Sequence, residues 1–202
     1  MAYKTGSGII EGLEVVRRRP TMYIGEETPD VSLVVRLVES ALDAVVRDTP
    51  SPTAARLLMW NDGVFTIAFD GEPLPIGPFA LPVNGVPHPE LYRLFMFVGA
   101  AGRTLAFAGA VLNALSEQLL AATVSGGQRY RAVFGRGTLI SLLAKAPCEK
   151  PLGTNWLTFR PDPTIITGRL TTGDGAELTK RAGRGAVSVT FEDRSAEDAD
   201  WF

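Results

Sequence analysis

SLVVRLVESALDAVVR at residues 32–47, followed by AARLLMWNDGVFTIAF at 54–69, is the stretch on which the fold turns. In the first segment Val34, Leu37, Val38, Ala41 and Val45 recur at helical spacing and make one apolar stripe. Arg36, Ser40, Asp43 and Arg47 form the opposite polar row, so the spacing predicts an amphipathic helix. In the second segment two strand-like runs flank Asn61-Asp62-Gly63, a hairpin turn signal. Upstream, Ile9, Leu13 and Val16 predict a short helix over 9–19 that Pro20 stops, preceded by a flexible arm at 1–8. The basic run Arg17-Arg18-Arg19 reads as the solvated end of that helix, where cations complement the backbone dipole.

Downstream, six prolines between Gly71 and Pro89 require an irregular loop. Helical spacing resumes over 89–98, and an apolar helix follows a Gly/Ala-rich link at 105–115. The pattern then turns to strands: 118–124 and 128–134 about Ser125-Gly126-Gly127, then 139–144 and 156–160. A short helix at 174–181 and a strand at 186–192 lead to an acidic tail, 195–202, that reads as loose. Helices mixed with hairpins, without regular β-α-β alternation, predict an α+β fold with one mostly antiparallel sheet and helices on one face.

Composition narrows the function. The 202 residues are 46% hydrophobic and 21% charged, enough for one domain with a real core. Twenty basic against 22 acidic residues, a net charge of −2, argue against a protein that lives on nucleic-acid phosphates, so direct DNA binding is not expected. One cysteine, Cys148, and one histidine, His88, leave neither an intrachain disulfide nor a Cys/His zinc cluster. Cys148 has no basic neighbour and reads as inert. No apolar run approaches the roughly 18 residues of a membrane helix, and no apolar leader is present. The expectation is a single-domain protein of the reducing cytoplasm without a membrane partner.

Several motifs, taken in order, resemble one family. Residues 13–25, LEVVRRRPTMYIG, are similar to the "VRxRPGMYIG" stretch of bacterial type IIA topoisomerases, in gyrase B and the topoisomerase IV ATPase subunit. LVVRLVESALD at 33–43 resembles their "LVxEVVDNSID" helix, and FDGEPLP at 69–75 stands where they have "DDGRGIP". Leu112-Asn113-Ala114-Leu115-Ser116 matches "VNALS", Arg129-Tyr130-Arg131 the hairpin after it, Gly153-Thr154 onward "GTxVxFxP", and 185–189 the closing "GVSI" strand. The resemblance covers the whole chain. It implies the GHKL, or Bergerat, two-layer sandwich, with an arm at 1–8, an ATPase-like domain at 9–194 and the tail at 195–202. It gives no counterpart of the family's transducer or DNA-cleavage domains.

The departures carry the functional argument. In the family a Glu one turn before an Asn does the chemistry, as general base for the attacking water and as magnesium holder respectively. The resemblance puts Arg36 and Ser40 at those positions. A guanidinium is permanently protonated and cannot take a proton, and loss of a positioned base costs about 10²- to 10⁴-fold in rate. Counting from Gly25 without a gap would instead make Glu39 the base, although this turns the apolar stripe away from the sheet. The family's adenine-binding Asp is matched by Phe69, which can accept nothing; its neighbour Asp70 is the one substitute. The phosphate-cradling "GxxGxG" keeps Gly102 but has Ala106 and Ala108 at the next two positions, and only 13 residues separate Gly99 from Asn113, a shortened lid. Thr154 is retained, and Arg131 matches an arginine near the adenine pocket.

The degenerate nucleotide pocket so inferred comprises Ser40, Phe69, Asp70, Gly71, Pro75, Gly102, Arg131 and Thr154. Three parts of one chemistry failing together point to a pseudo-ATPase that needs no cofactor. Such a domain would act through a protein partner, either a second copy or a type II topoisomerase subunit. Two alternatives stay open: a Mg·ATP-hydrolysing domain rewired through Glu39 or Asp70, and a binder of some non-nucleotide small molecule in the altered pocket, with Arg36 meeting an anion.

Overall fold

The computed structural model describes residues 8–28, 31–48, 53–78, 88–97, 104–147, 151–183, 187–199 and 201. The amphipathic pattern at 9–19 becomes helix α1 (Gly8–Arg18). Pro20 ends it and opens a single helical turn, α2 (Thr21–Ile24). The deciding helix is α3 (Leu33–Asp48), and the hairpin after it is β1 (Ala54–Trp60) and β2 (Phe65–Phe69). Asp62 and Gly63 take positive φ at 52° and 68° in the connecting turn, as the Asn-Asp-Gly signal requires.

Helices α4 (Leu91–Met96) and α5 (Thr104–Leu115) come next. They meet closely at Gly109, where an added Cβ would lie 2.4 Å from the Leu94 carbonyl oxygen. Strand β3 (Ser116–Ser125) begins where α5 ends, two residues earlier than its apolar pattern suggests. It is followed by β4 (Gln128–Gly135), β5 (Thr138–Ala146), β6 (Asn155–Pro161), α6 (Thr172–Ala182) and β7 (Ser188–Arg194). Thr171 and Asp174 close the start of α6 with a reciprocal capping box.

The strands form one sheet in the order β5-β4-β3-β6-β2-β1-β7. Every pairing among the described residues is antiparallel except β1 with β7, so the α+β expectation holds. The described helices all contribute to one apolar cluster with a single face of the sheet: Leu13, Val16, Ile24, Val38, Phe95, Leu112 and Leu178 pack with Ile67, Leu157 and Phe159. Because side chains alternate along each strand, the other face carries a separate set. That face holds the smaller cluster of Leu58, Trp60, Ala68, Ala122 and Trp156, on which Ala199 and Trp201 rest.

The described part of the acidic tail, 195–199 and 201, is therefore not loose. Asn61 donates its backbone N–H to the Glu197 carbonyl at 3.1 Å and its side-chain amide to Asp198. Arg131 reaches the Trp201 carbonyl at 3.4 Å. The reason is apolar: the open face would otherwise expose Trp156 and its neighbours to water.

The basic run also departs from its reading. Arg17 is folded inward, donating to the Ala114 carbonyl at 2.7 Å and to the fully buried Asp162 carboxylate at 2.9 Å. Arg18 does stay outside, paired with Glu14 one turn earlier. Among the described residues no helix is long and apolar enough to cross a membrane.

Candidate functional site

The register of three strands builds the site. Phe69 on β2 stands opposite Asn155 on β6, which stands opposite Thr123 on β3, so the three line up in one row on the helix-covered face. Phe69 is 1% exposed, and Asn155 and Thr123 are wholly buried. The polar atoms of this row are satisfied from within. Thr123 Oγ1 donates to Asn155 Oδ1 at 2.7 Å, and the Leu74 backbone N–H donates to both oxygens, at 3.0 and 2.9 Å. Asn155 Nδ2 donates to the Glu72 carbonyl at 2.9 Å.

The segment from Asp70 to Pro75 is thus bolted onto the sheet beside the Phe69 ring. Leu74 is buried, Asp70, Gly71 and Pro75 are half-buried, and the Asp70 N–H is held by the Ala54 carbonyl at 3.1 Å. Gly153 lies against the backbone of Phe69, where a Cβ would come within 3.3 Å of its carbonyl oxygen.

On α3, Arg36, Ser40 and Asp43 of the polar row are half-buried and Arg47 is exposed. Arg36 lies along the α2–α3 connection, donating through Nε to the Glu26 carbonyl at 3.3 Å and through Nη1 to Glu39 at 3.2 Å. The other oxygen of Glu39 accepts from Arg181 of α6 at 2.6 Å. Glu39 therefore sits between two guanidinium groups and ties α3 to α6. Ser40 is half-buried on the same helix, one turn beyond Arg36.

The structure brings Arg36 and Glu39 together and sets Asp70, Gly71 and Pro75 in the loop beside Phe69. It separates Arg131 from them. Arg131 pairs with Ala122, the neighbour of Thr123, and so points to the opposite face of the sheet, towards Trp201. Thr154 precedes β6, half-buried, with its carbonyl accepting from Val124 N–H at 2.8 Å; the residue that stands beside Phe69 is the next one, Asn155. Gly102 and Cys148 lie outside the described residues. Sequence reasoning passes over Thr123 and Asn155. The available signal was a polar residue next to an apolar run in each strand, Thr123 after 119–122 and Asn155 before Trp156-Leu157, which in a core must be partnered.

Two motif residues prove to be ties of the scaffold. Asn113, fully buried, donates to the Phe95 carbonyl at 2.8 Å and accepts from Gly137 N–H at 3.2 Å, joining α4, α5 and the β4–β5 turn. Arg17 and Arg136 converge on Asp162, which also accepts from Thr164. Burial would raise the Asp162 pKa, but the hydrogen bonds from Thr164 and Arg17 and the Arg136 charge override it and hold the group at about 2.

No protein-family model matches the chain. It is 31% identical over 170 residues to the type 2 topoisomerase B protein of Aquifex aeolicus, covering 78% of this chain and 21% of that protein. It is 30% identical over 172 residues to the DNA gyrase B protein of Thermus thermophilus, covering 78% of this chain and 26% of that one. The chain thus spans about a quarter or less of the length of these relatives. The fold is similar to that of the 43K ATPase domain of Thermus thermophilus gyrase B, solved with an aminocoumarin, with a TM-score of 0.72 and 24% identity over 95% of this chain and 51% of that one. The ordered motifs, the relatives and the shared sandwich together place the chain among the gyrase B-type, GHKL ATPase-like domains.

Proposed function

We propose that this domain keeps the gyrase B-type scaffold but neither binds nor hydrolyses ATP, and that it works by contact with another protein. One observation carries the reading. Where the family's pattern requires a carboxylate for adenine, the buried Phe69 ring stands, and the polar atoms next to it are consumed by Leu74 and Glu72. A purine entering there would have to displace the buried Phe69 ring and break those internal hydrogen bonds.

The residues at the catalytic positions do not fit Mg·ATP either. Arg36 has no lone pair to take a proton. Ser40 is shorter than asparagine and offers magnesium a hydroxyl, a weaker donor than an amide carbonyl oxygen. Glu39, the base of the rewired alternative, is committed to ion pairs with Arg36 and Arg181. The relatives are named as subunits of larger enzymes, and the partner in this reading is a protein, a second copy or a type II topoisomerase subunit.

Calorimetry and phosphate-release assays with Mg·ATP, carried to concentrations of several times 1 mM, are expected to show neither heat nor turnover. Binding tighter than about 1 mM with turnover that disappears in Glu39→Ala would overturn the proposal in favour of a rewired ATPase.

A further inference from the structure

The Phe69 row occupies one end of strands β1, β2 and β6. At their other end, four residue steps or about 13 Å along β2, the described residues line an open cavity of about 590 Å³. Its inner wall is apolar and buried, made by Val34 from the first turn of α3, Phe65 at the start of β2, and Ile166 and Leu170 from the segment after β6. That segment can lie against α3 because Gly168 has φ of +95° and no Cβ; an added Cβ would fall 2.3 Å from Ser32 Cβ. The rim carries Asn61, Asp62 and Ser195 together with two arginines, Arg160 and Arg169.

These two arginines differ from most others in the protein. Arg17, Arg36, Arg56, Arg136, Arg181 and Arg194 each hold a carboxylate. Among the described residues, Arg160 and Arg169 hold none, and the Nε of Arg160 is buried without a hydrogen-bond partner. A buried, unpartnered guanidinium nitrogen is costly and in a native protein calls for an explanation. The acids nearby do not supply it. Asp198 is taken by Asn61 and Glu197 faces Arg194. Asp62 is the one carboxylate on the cavity lining among the described residues, against two guanidinium groups.

We propose that this cavity is a binding site for an organic anion, a carboxylate or phosphate monoester on an apolar body. Arg160 and Arg169 take the acid group, since a guanidinium fork matches the paired oxygens of either. Val34, Phe65, Ile166 and Leu170 take the body, and the volume falls in the range of small-molecule sites. Trp60, at the cavity edge with its indole N–H bonded to Thr66 at 2.8 Å, reports occupancy. This site uses none of the residues of the Phe69 row, which lies at the opposite end of the strands.

The test titrates the full chain with octanoate and with hexyl phosphate, following the Trp60 indole resonance, with hexanol and inorganic phosphate as controls. One or both organic anions should shift that resonance, and the stronger names the acid group. Hexanol and inorganic phosphate should be at least tenfold weaker. Arg160→Gln should weaken binding about tenfold; should it fail to fold, the exposed Arg169→Gln is expected to weaken it several-fold, and Arg47→Gln, at the far end of α3, should leave it unchanged. Absence of any shift with both anions, hexanol binding as well as octanoate, or Arg169→Gln and Arg160→Gln both binding as the parent would overturn the proposal.

Discussion

Asn155 is the residue through which the loop that follows β2 is fixed. It accepts from Leu74 and Thr123 and donates to Glu72, so one amide side chain organises three chain segments in a space closed to water. Truncation takes the acceptor from the buried Thr123 hydroxyl and the donor from the Glu72 carbonyl, leaving the Leu74 N–H on Thr123 alone, and an unsatisfied buried group costs about 1–3 kcal/mol. Asn155→Ala should lower the urea-unfolding free energy by that amount, and a loss near zero would mean that the loop is held by something else. Glu39 is a different case at the same scale. Its two ion pairs are partly exposed, with side-chain exposures of 26–42%, and such pairs contribute little to stability. Its removal therefore tests chemistry rather than folding.

At the scale of the element, helix α1 is anchored by charge as well as by its Leu13 and Val16 stripe. Asp162, at the end of β6, receives Arg17 from α1 and Arg136 from the β4–β5 turn. Its carboxylate is held at about 2 in the fold against an ordinary 3.8. A depressed acid pKa contributes stability that is fully present above the ordinary value and is lost as pH falls through the folded one. The contribution here is about 2 kcal/mol. Urea midpoints should accordingly show the parent chain and Asp162→Asn differing by a constant amount from neutral pH to about pH 5, with the gap closing between about pH 4 and 2. A gap independent of pH would assign the effect to packing. Elsewhere in the fold, Asp193 is also held below the usual carboxylate range, by Thr172 and Ser195, which fastens the start of α6 to β7.

At the scale of the molecule, the sandwich has a third, partial layer. The open face of the sheet gathers Trp60 and Trp156, with Arg194 over the first at 5.3 Å and Arg129 over the second at 5.8 Å. The tail lays Ala199 and Trp201 across them. Replacing the half-buried Trp201 by Ala removes part of a large apolar contact, a loss of about 1–2 kcal/mol. Trp201→Ala should melt earlier and bring the emission of Trp156 to the red as water reaches it; an unchanged melting curve would show the tail to be a passive passenger.

Helices, turns and strands were readable along the chain because their periods and punctuation are local. The 3.6-residue stripe of α3, the Asn61-Asp62-Gly63 turn and the alternation of β3 and β4 act over a few residues, and each appeared within two or three residues of its expected bounds. The order of the motifs also carried the family. Partnership across the fold was decided only when the sheet closed. Whether Thr154 or Asn155 faces Phe69 depends on the residue at which β6 starts, since one step reverses every side chain. The same alternation sends Arg131 to the face opposite its expected pocket. Arg17 finds Asp162 across 145 residues, and the tail finds Asn61 across 137. Backbone sterics and hydrophobic spacing are short-range and leave their mark in neighbouring letters, whereas ion pairs, buried amides and covered apolar faces arise from tertiary contacts between distant ones.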